Sequence, residues 1–260
     1  MRITITVIVC ALLTGCATYN TPGRGAQMAL FAPREAEKLA NTDFGIKQVL
    51  DKKPLASFPA SLAVARVQAS GYASRTAQGW GVGQYCVVTS RDIETDADFE
   101  RLLKLPLVRG VAPLNRLVLP ASLNTDYELR HAAAKMHADV LLIYTLDTTF
   151  RDLDRTTPLS VVTLGATSTK RKRILCTASA ALLDTRSGYV YGLAESTKQH
   201  EELQNAWETE SEIDADRQAV ETKAFADLLV QLERTWTGVV REHATALRGN
   251  GGTRYDTSGG

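Results

Sequence analysis

Residues 138–150 read ADVLLIYTLDTTF. From Val140 to Leu146 the run is almost wholly apolar on both alternating positions. A strand with apolar residues on both parities is one covered on both faces, so this is the central strand of a sheet with helices packed on it. A helix leads into it: Thr125 stands as N-cap with Glu128 three residues on, followed by Leu129, Ala132, Ala133 and Met136 on one face. Further upstream the same grammar repeats. Thr95 to Lys104 reads as a short helix capped by Thr95 and Asp98, followed by a strand around 108–119. SLAVARVQASGY, residues 61–72, alternates as a strand with one buried face, and QYCVVTSRDIE, residues 84–94, carries the β-branched and aromatic residues of another. Between them Gly79, Gly81 and Gly83 mark a bend.

Downstream the pattern becomes a meander. Residues 158–166 and 173–197 hold three strand-like stretches, joined by the polar turn STKRKR at 168–173 and by DTRSG at 184–188. Gly188 fits a left-handed position that closes the second turn, where a Cβ would clash. Residues 212–247 form one long amphipathic helix through Val220, Phe225, Leu228, Leu229, Leu232, Trp236, Val239, Val240 and Leu247. The tail, 248–260, is Gly-rich and lacks apolar periodicity, which predicts disorder. The fold class is therefore α/β: a single domain over 55–247, with a mixed β-sheet that includes an antiparallel meander, flanked by helices.

The chain of 260 residues carries 30 Lys plus Arg against 29 Asp plus Glu, a balance that offers no global field for nucleic acid. Its beginning reads as an address. Arg2 precedes an apolar run from Ile3 to Leu13, too short to span a bilayer, and then Leu13-Thr14-Gly15-Cys16. This sequence resembles the bacterial lipobox, which implies cleavage of residues 1–15 and a diacylglycerol on the Cys16 sulfur with an acyl chain on its amine. Ala17 at the following position resembles the signal for outer-membrane delivery, the domain facing the periplasm. Loss of residues 1–15 removes Arg2 and no acid, so the mature chain is formally neutral. Residues 16–33, with two Pro and two Gly, read as a lipidated tether. Residues 34–54 hold an N-terminal helix that places Ala36, Leu39, Ala40, Val49 and Leu50 on one face and stops at Pro54.

Three stretches, HAAAKMHADVLLIYTLDTTF, RILCTASAALLDTRSGYVYGLAEST and ETKAFADLLVQLERTWTGVVRE, together resemble the rhombotarget lipoprotein family, and more remotely the periplasmic domain of curli-secretion-type lipoproteins. The resemblance covers roughly residues 55–247. It implies an α/β domain with a mixed sheet flanked by helices, and it brings no catalytic residues.

Chemistry-bearing motifs are sparse. Gly79-Trp80-Gly81-Val82-Gly83 lacks the Lys and the strand-to-helix setting of a phosphate loop, and no serine sits in a Gly-x-Ser-x-Gly elbow. His131 and His137, six apart, do not converge on a helix, and Asp147, Asp152 and Asp154 lack the Gly and final Glu of a calcium loop. No metal, catalytic group or cofactor beyond the Cys16 lipid is expected. Cys86 and Cys176 are either a disulfide, permitted in an oxidising periplasm, or two separately buried thiols. Lys170, Arg171, Lys172 and Arg173 concentrate positive charge at an expected hairpin tip, which either docks an anionic surface or is a solvated turn.

The function expected from these readings is an outer-membrane-anchored accessory or scaffolding lipoprotein. It would act by protein contact with an envelope partner or with its own copies, without catalysis and without nucleic acid. The alternatives are a subunit of an oligomeric curli-type secretion assembly and a hydrolase. Against the first, Ile174 to Leu183 lacks the clean apolar/polar alternation of a barrel strand.

Overall fold

The computed structural model describes residues 22, 24–26, 43–153, 171–203 and 209–251. The expected signal peptide and Cys16, the strand at 158–166, Lys170 and the tail beyond 251 lie outside them. In chain order the elements are α1 (Asp43–Leu50), β1 (Ala60–Ala69), β2 (Gly79–Trp80), β3 (Val82–Gly83), β4 (Tyr85–Val88), α2 (Asp96–Leu103), β5 (Val108–Pro113), β6 (Ser122–Leu123), α3 (Asp126–Lys135), β7 (Val140–Leu153), β8 (Arg171–Asp184), β9 (Val190–Leu203) and α4 (Glu210–Gly251).

Seven strands form one mixed, mostly antiparallel sheet in the order β2-β4-β1-β7-β8-β9, and β5 pairs with the half of β1 that β4 leaves open. β1 runs parallel to β7, from Leu62 opposite Val140 to Ala65 opposite Ile143. β7, β8 and β9 are a fourteen-residue antiparallel meander. β3 and β6 pair apart from the main sheet.

The central strand is where its composition put it. Leu142, Tyr144 and Leu146 face a core shared with α2 and α4, including Leu102, Phe225, Leu228, Leu229, Leu232 and Trp236. Leu141 and Ile143 face a second core under α3, with Leu129, Ala132 and Ala133. The alternation of side chains across a strand divides the residues this way, so one run of sequence supplies both cores. β1 behaves alike, with Leu62 and Val64 on one face and Ala63, Ala65 and Val67 on the other. That corrects the expectation of a strand with one buried face: both are buried.

Local signals place the helices. At α3 the Glu128 carboxylate accepts from the Thr125 N–H at 2.9 Å and from its hydroxyl at 2.6 Å, and the Asp98 carboxylate accepts from the Thr95 N–H at 2.8 Å at the start of α2. Gly188 adopts φ 67°, as the turn demands. Other expectations shift. The strand expected over 108–119 ends at Pro113, and the helix expected over 34–54 is described only as α1, whose Val49 and Leu50 are exposed rather than turned inward. Part of the expected tether is docked: Gly25 bridges Gln68, the Ala26 N–H donates to Thr145 Oγ1 at 2.8 Å, and the Ala69 N–H donates to the Arg24 carbonyl.

Candidate functional site

The face of β7, β8 and β9 opposite α4 is only partly covered. α3 packs on Leu141, Ile143, Ala181 and Leu183, and beyond it the side chains turn polar: Thr145, Asp147, Thr177, Ser179, Glu195 and Thr197. They form cross-strand rows, as the register requires. Thr145 lies opposite Ser179 and Ser179 opposite Glu195, with the Ser179 hydroxyl donating to the Glu195 carboxylate at 3.0 Å. In the next row Thr177 and Thr197 share a hydrogen bond of 3.0 Å.

Between these rows and the docked segment Arg24–Ala26 opens a groove of about 560 Å³. Ile143, Val67 and Ala181 form its apolar floor, Asp147 and Glu195 supply negative charge at its sides, and Arg24 supplies a positive one. Leu193, 61 % exposed, stands on its β9 wall. The volume is in the range of ligand or peptide clefts. The buried Gln68 side chain ties β1 to β7 beside it, accepting from the Thr145 hydroxyl at 2.8 Å and the Leu146 N–H at 3.2 Å and donating to the Leu146 carbonyl at 3.0 Å.

A second assembly lies on the other face, sealed under α4. Arg66 on β1 reaches Asp92 at 2.6 Å and Tyr72 Oη at 3.1 Å, while Arg217 on α4 donates from Nε to Asp214 at 2.9 Å and from Nη1 to Glu221. Arg217 Nη2 meets Asp92 at 3.3 Å, and the Tyr144 hydroxyl donates to Glu94. Thr148 donates to Glu221 at 2.7 Å. Burial works against charge on both arginines, and the surrounding groups outweigh it, Tyr72 and Glu94 foremost for Arg66 and Glu221 foremost for Arg217, holding both above the ordinary arginine value. Burial also pushes Glu221 up, because Arg217 and Arg66 only partly offset it. Asp92 moves the other way: desolvation resists its ionisation, but Arg66, the Thr76 hydroxyl and Arg217 hold it below the usual carboxylate range.

So dense a set of acids and bases invites a catalytic reading. The geometry speaks against it, since the space beside Arg66, Glu94 and Tyr144 is about 20 Å³, room for one water and no substrate. The cluster fastens α4 to β1 and to the loop before α2. Sequence reasoning missed it: Arg66 read only as one position of an alternating strand, and Asp92, Glu94, Arg217 and Glu221 were given no role.

The fold places two of the expected sites. Cys86 and Cys176 are free and buried, not bridged. Cys86 lies on β4 and Cys176 on β8, with β1 and β7 between, a separation of about 14 Å at the usual strand spacing, twice what a disulfide spans. Burial pushes the Cys176 thiol up to about 12 and raises Cys86 as well. The basic block is not a hairpin tip across its described part. Arg171 to Arg173 are the first residues of β8, with Lys172 buried against Asp216 of α4 at 3.0 Å and Arg173 paired with Glu201 of β9 at 2.5 Å. Lys172 and Arg173 thus hold neighbouring elements together. Their alternation along the strand sends one cation to the helix and the next to the opposite face.

No helix among the described residues is long and apolar enough to cross a membrane, and none of their His, Cys, Asp and Glu side chains groups as a metal site. No protein-family model matches the chain, and no curated protein matches it either.

Proposed function

We propose that this protein is an outer-membrane-anchored, periplasm-facing accessory lipoprotein that works by holding a protein partner in the groove over β7, β8 and β9. The observation that carries the reading is the position of the groove relative to the expected anchor. Arg24, on the groove wall, is eight residues from Cys16, so even a fully extended chain keeps the groove within about 28 Å of the lipidated cysteine. A contact surface held that close to the bilayer suits a partner that is itself in or on the envelope. The lining suits a polypeptide: rows of Thr and Ser hydroxyls for main-chain groups, an apolar floor and an exposed leucine on the wall. Against an enzyme stands the sealed state of the buried acid–base cluster.

Filling the groove tests this. Thr177→Trp on the groove wall is expected to leave export, acylation of Cys16 and thermal stability close to wild type. In mildly solubilised membranes it should release the chain from a larger assembly on native gels. A wild-type chain that migrates alone under every mild condition, or an assembly indifferent to Thr177→Trp, contradicts the proposal.

A further inference from the structure

α1 is the element whose chemistry the fold leaves unused. Its residues Ile46, Val49 and Leu50 fall at i, i+3 and i+4, one stripe on a helix, and are 55 %, 64 % and 77 % exposed. Gly45 is buried, whereas Asp43 and residues 46–50 are exposed, so the apolar stripe faces outward. Leu55, a few residues on, is exposed as well. An eight-residue helix draws almost nothing from its own hydrogen bonds in water and depends on a surface for its apolar side.

The segment is held in place. Just after α1 the N–H groups of Leu55 and Ala56 donate to the Asp184 carboxylate at 2.5 and 2.6 Å, and Arg186 donates to the Leu55 carbonyl at 3.1 Å. This end of the molecule is rich in cations. Lys47, Lys52 and Lys53 are exposed beside Asp43 and Asp51, and Arg109 and Arg186, each about half exposed, stand over two buried acids, Asp139 and Asp184, so the charge this end shows to solvent is mostly positive. An apolar stripe bordered by a basic surplus matches an anionic lipid surface: leucine and isoleucine below the headgroups, lysine and arginine among the phosphates.

We propose that Ile46, Val49 and Leu50, with Leu55, insert into the headgroup layer of the membrane that holds Cys16, as a second contact that fixes how the domain stands on the bilayer. This rests on the anchored reading above. Two contacts matter physically because one acyl-bearing residue on a short stretch of chain restrains distance, whereas a second, rigidly attached contact restrains orientation and the direction in which the groove opens.

A single-site fluorescent label tests it on the full acylated protein, since Cys86 and Cys176 are buried and leave an introduced thiol alone to react. An environment-sensitive dye is placed at Leu50→Cys or at Gln199→Cys, the latter opposite Leu175 and about 30 Å along β8 from Asp184. The protein is reconstituted in phosphatidylethanolamine–phosphatidylglycerol vesicles containing a doxyl-labelled lipid. The dye at position 50 is expected to shift to the blue and lose its emission to the quencher, and the dye at position 199 to do neither. Adding Ile46→Ser and Val49→Ser should abolish quenching at position 50 while Cys16 stays acylated. Equal quenching at both positions, or none at position 50, overturns the proposal. So does a blue shift that depends on protein concentration in detergent without lipid quenching, which would assign the stripe to a second copy of the chain. The acyl mass on Cys16 is measured in parallel: a protein without it overturns both readings, whereas an acylated protein with an unquenched dye overturns the helix contact alone.

Discussion

Arg66 Nη1 lies 2.6 Å from Asp92 Oδ1, with both side chains at most 5 % exposed. Neither charge has water to fall back on, and each is satisfied only by the set to which it belongs, Arg217, Glu94, Glu221 and Tyr72 included. Removing one member leaves others charged and buried, which in such pairs costs about 3–5 kcal/mol. Arg66→Met and Arg217→Met should each lower the unfolding free energy by that amount in urea titrations. The double variant should cost clearly less than the sum of the two, because the second removal relieves acids already stranded by the first.

Asp184 gives the acid side of the stability profile. Its carboxylate accepts five hydrogen bonds, from the N–H groups of Leu55, Ala56, Arg186 and Ser187 and from the Tyr191 hydroxyl. Desolvation opposes ionisation, and these donors outweigh it, so the group titrates below the ordinary aspartate value. A carboxyl lowered in the folded state contributes stability that is complete above its unfolded value and is lost as pH falls through the folded one. Stability should therefore decline below about pH 4 in the wild type. Asp184→Asn should be less stable at neutral pH and show a shallower decline, read from denaturant midpoints between pH 7 and pH 2.5.

The thiols make a third test. Burial raises both Cys86 and Cys176, and only the thiolate reacts. Iodoacetamide should leave both untouched in the native protein at neutral pH and modify both in denaturant without prior reduction. A requirement for reductant would mean a disulfide.

Gly192 on β9 meets α4 so closely that an added Cβ would collide with Thr235 Cγ2. Gly192→Ala should push the helix away and destabilise by about 1–3 kcal/mol. Thr235→Ser removes the offending methyl and keeps the hydroxyl that donates to the Gln231 carbonyl at 3.0 Å, so the pair of substitutions should recover most of the loss. No recovery would place the strain elsewhere.

What the sequence made legible was local. β7 announced itself by apolar residues on both parities, α3 by Thr125 and Glu128, and the β8–β9 turn by Gly188, since each depends on neighbours a few residues away. What it hid was set by pairing across the chain. Arg66 is a buried ion only because α4 returns Arg217 and Glu221 to it from some 150 residues downstream. Arg171 to Arg173 read as a tip because charge usually marks solvent, yet Asp216 and Glu201 arrive to neutralise Lys172 and Arg173 within the sheet. The groove belongs to both kinds: its Thr and Ser rows alternate visibly along β7 and β8, but their meeting with Arg24 to Ala26 requires the folded chain.

The most direct measurement is photocross-linking in intact cells, with a photoreactive residue at Leu193 on the groove wall and, separately, at Tyr127, exposed on α3. A partner held in the groove gives one discrete adduct from position 193, lost in the Thr177→Trp background, and none from position 127. No adduct at 193, or the same adducts from both positions, would contradict a protein that works by holding a partner there.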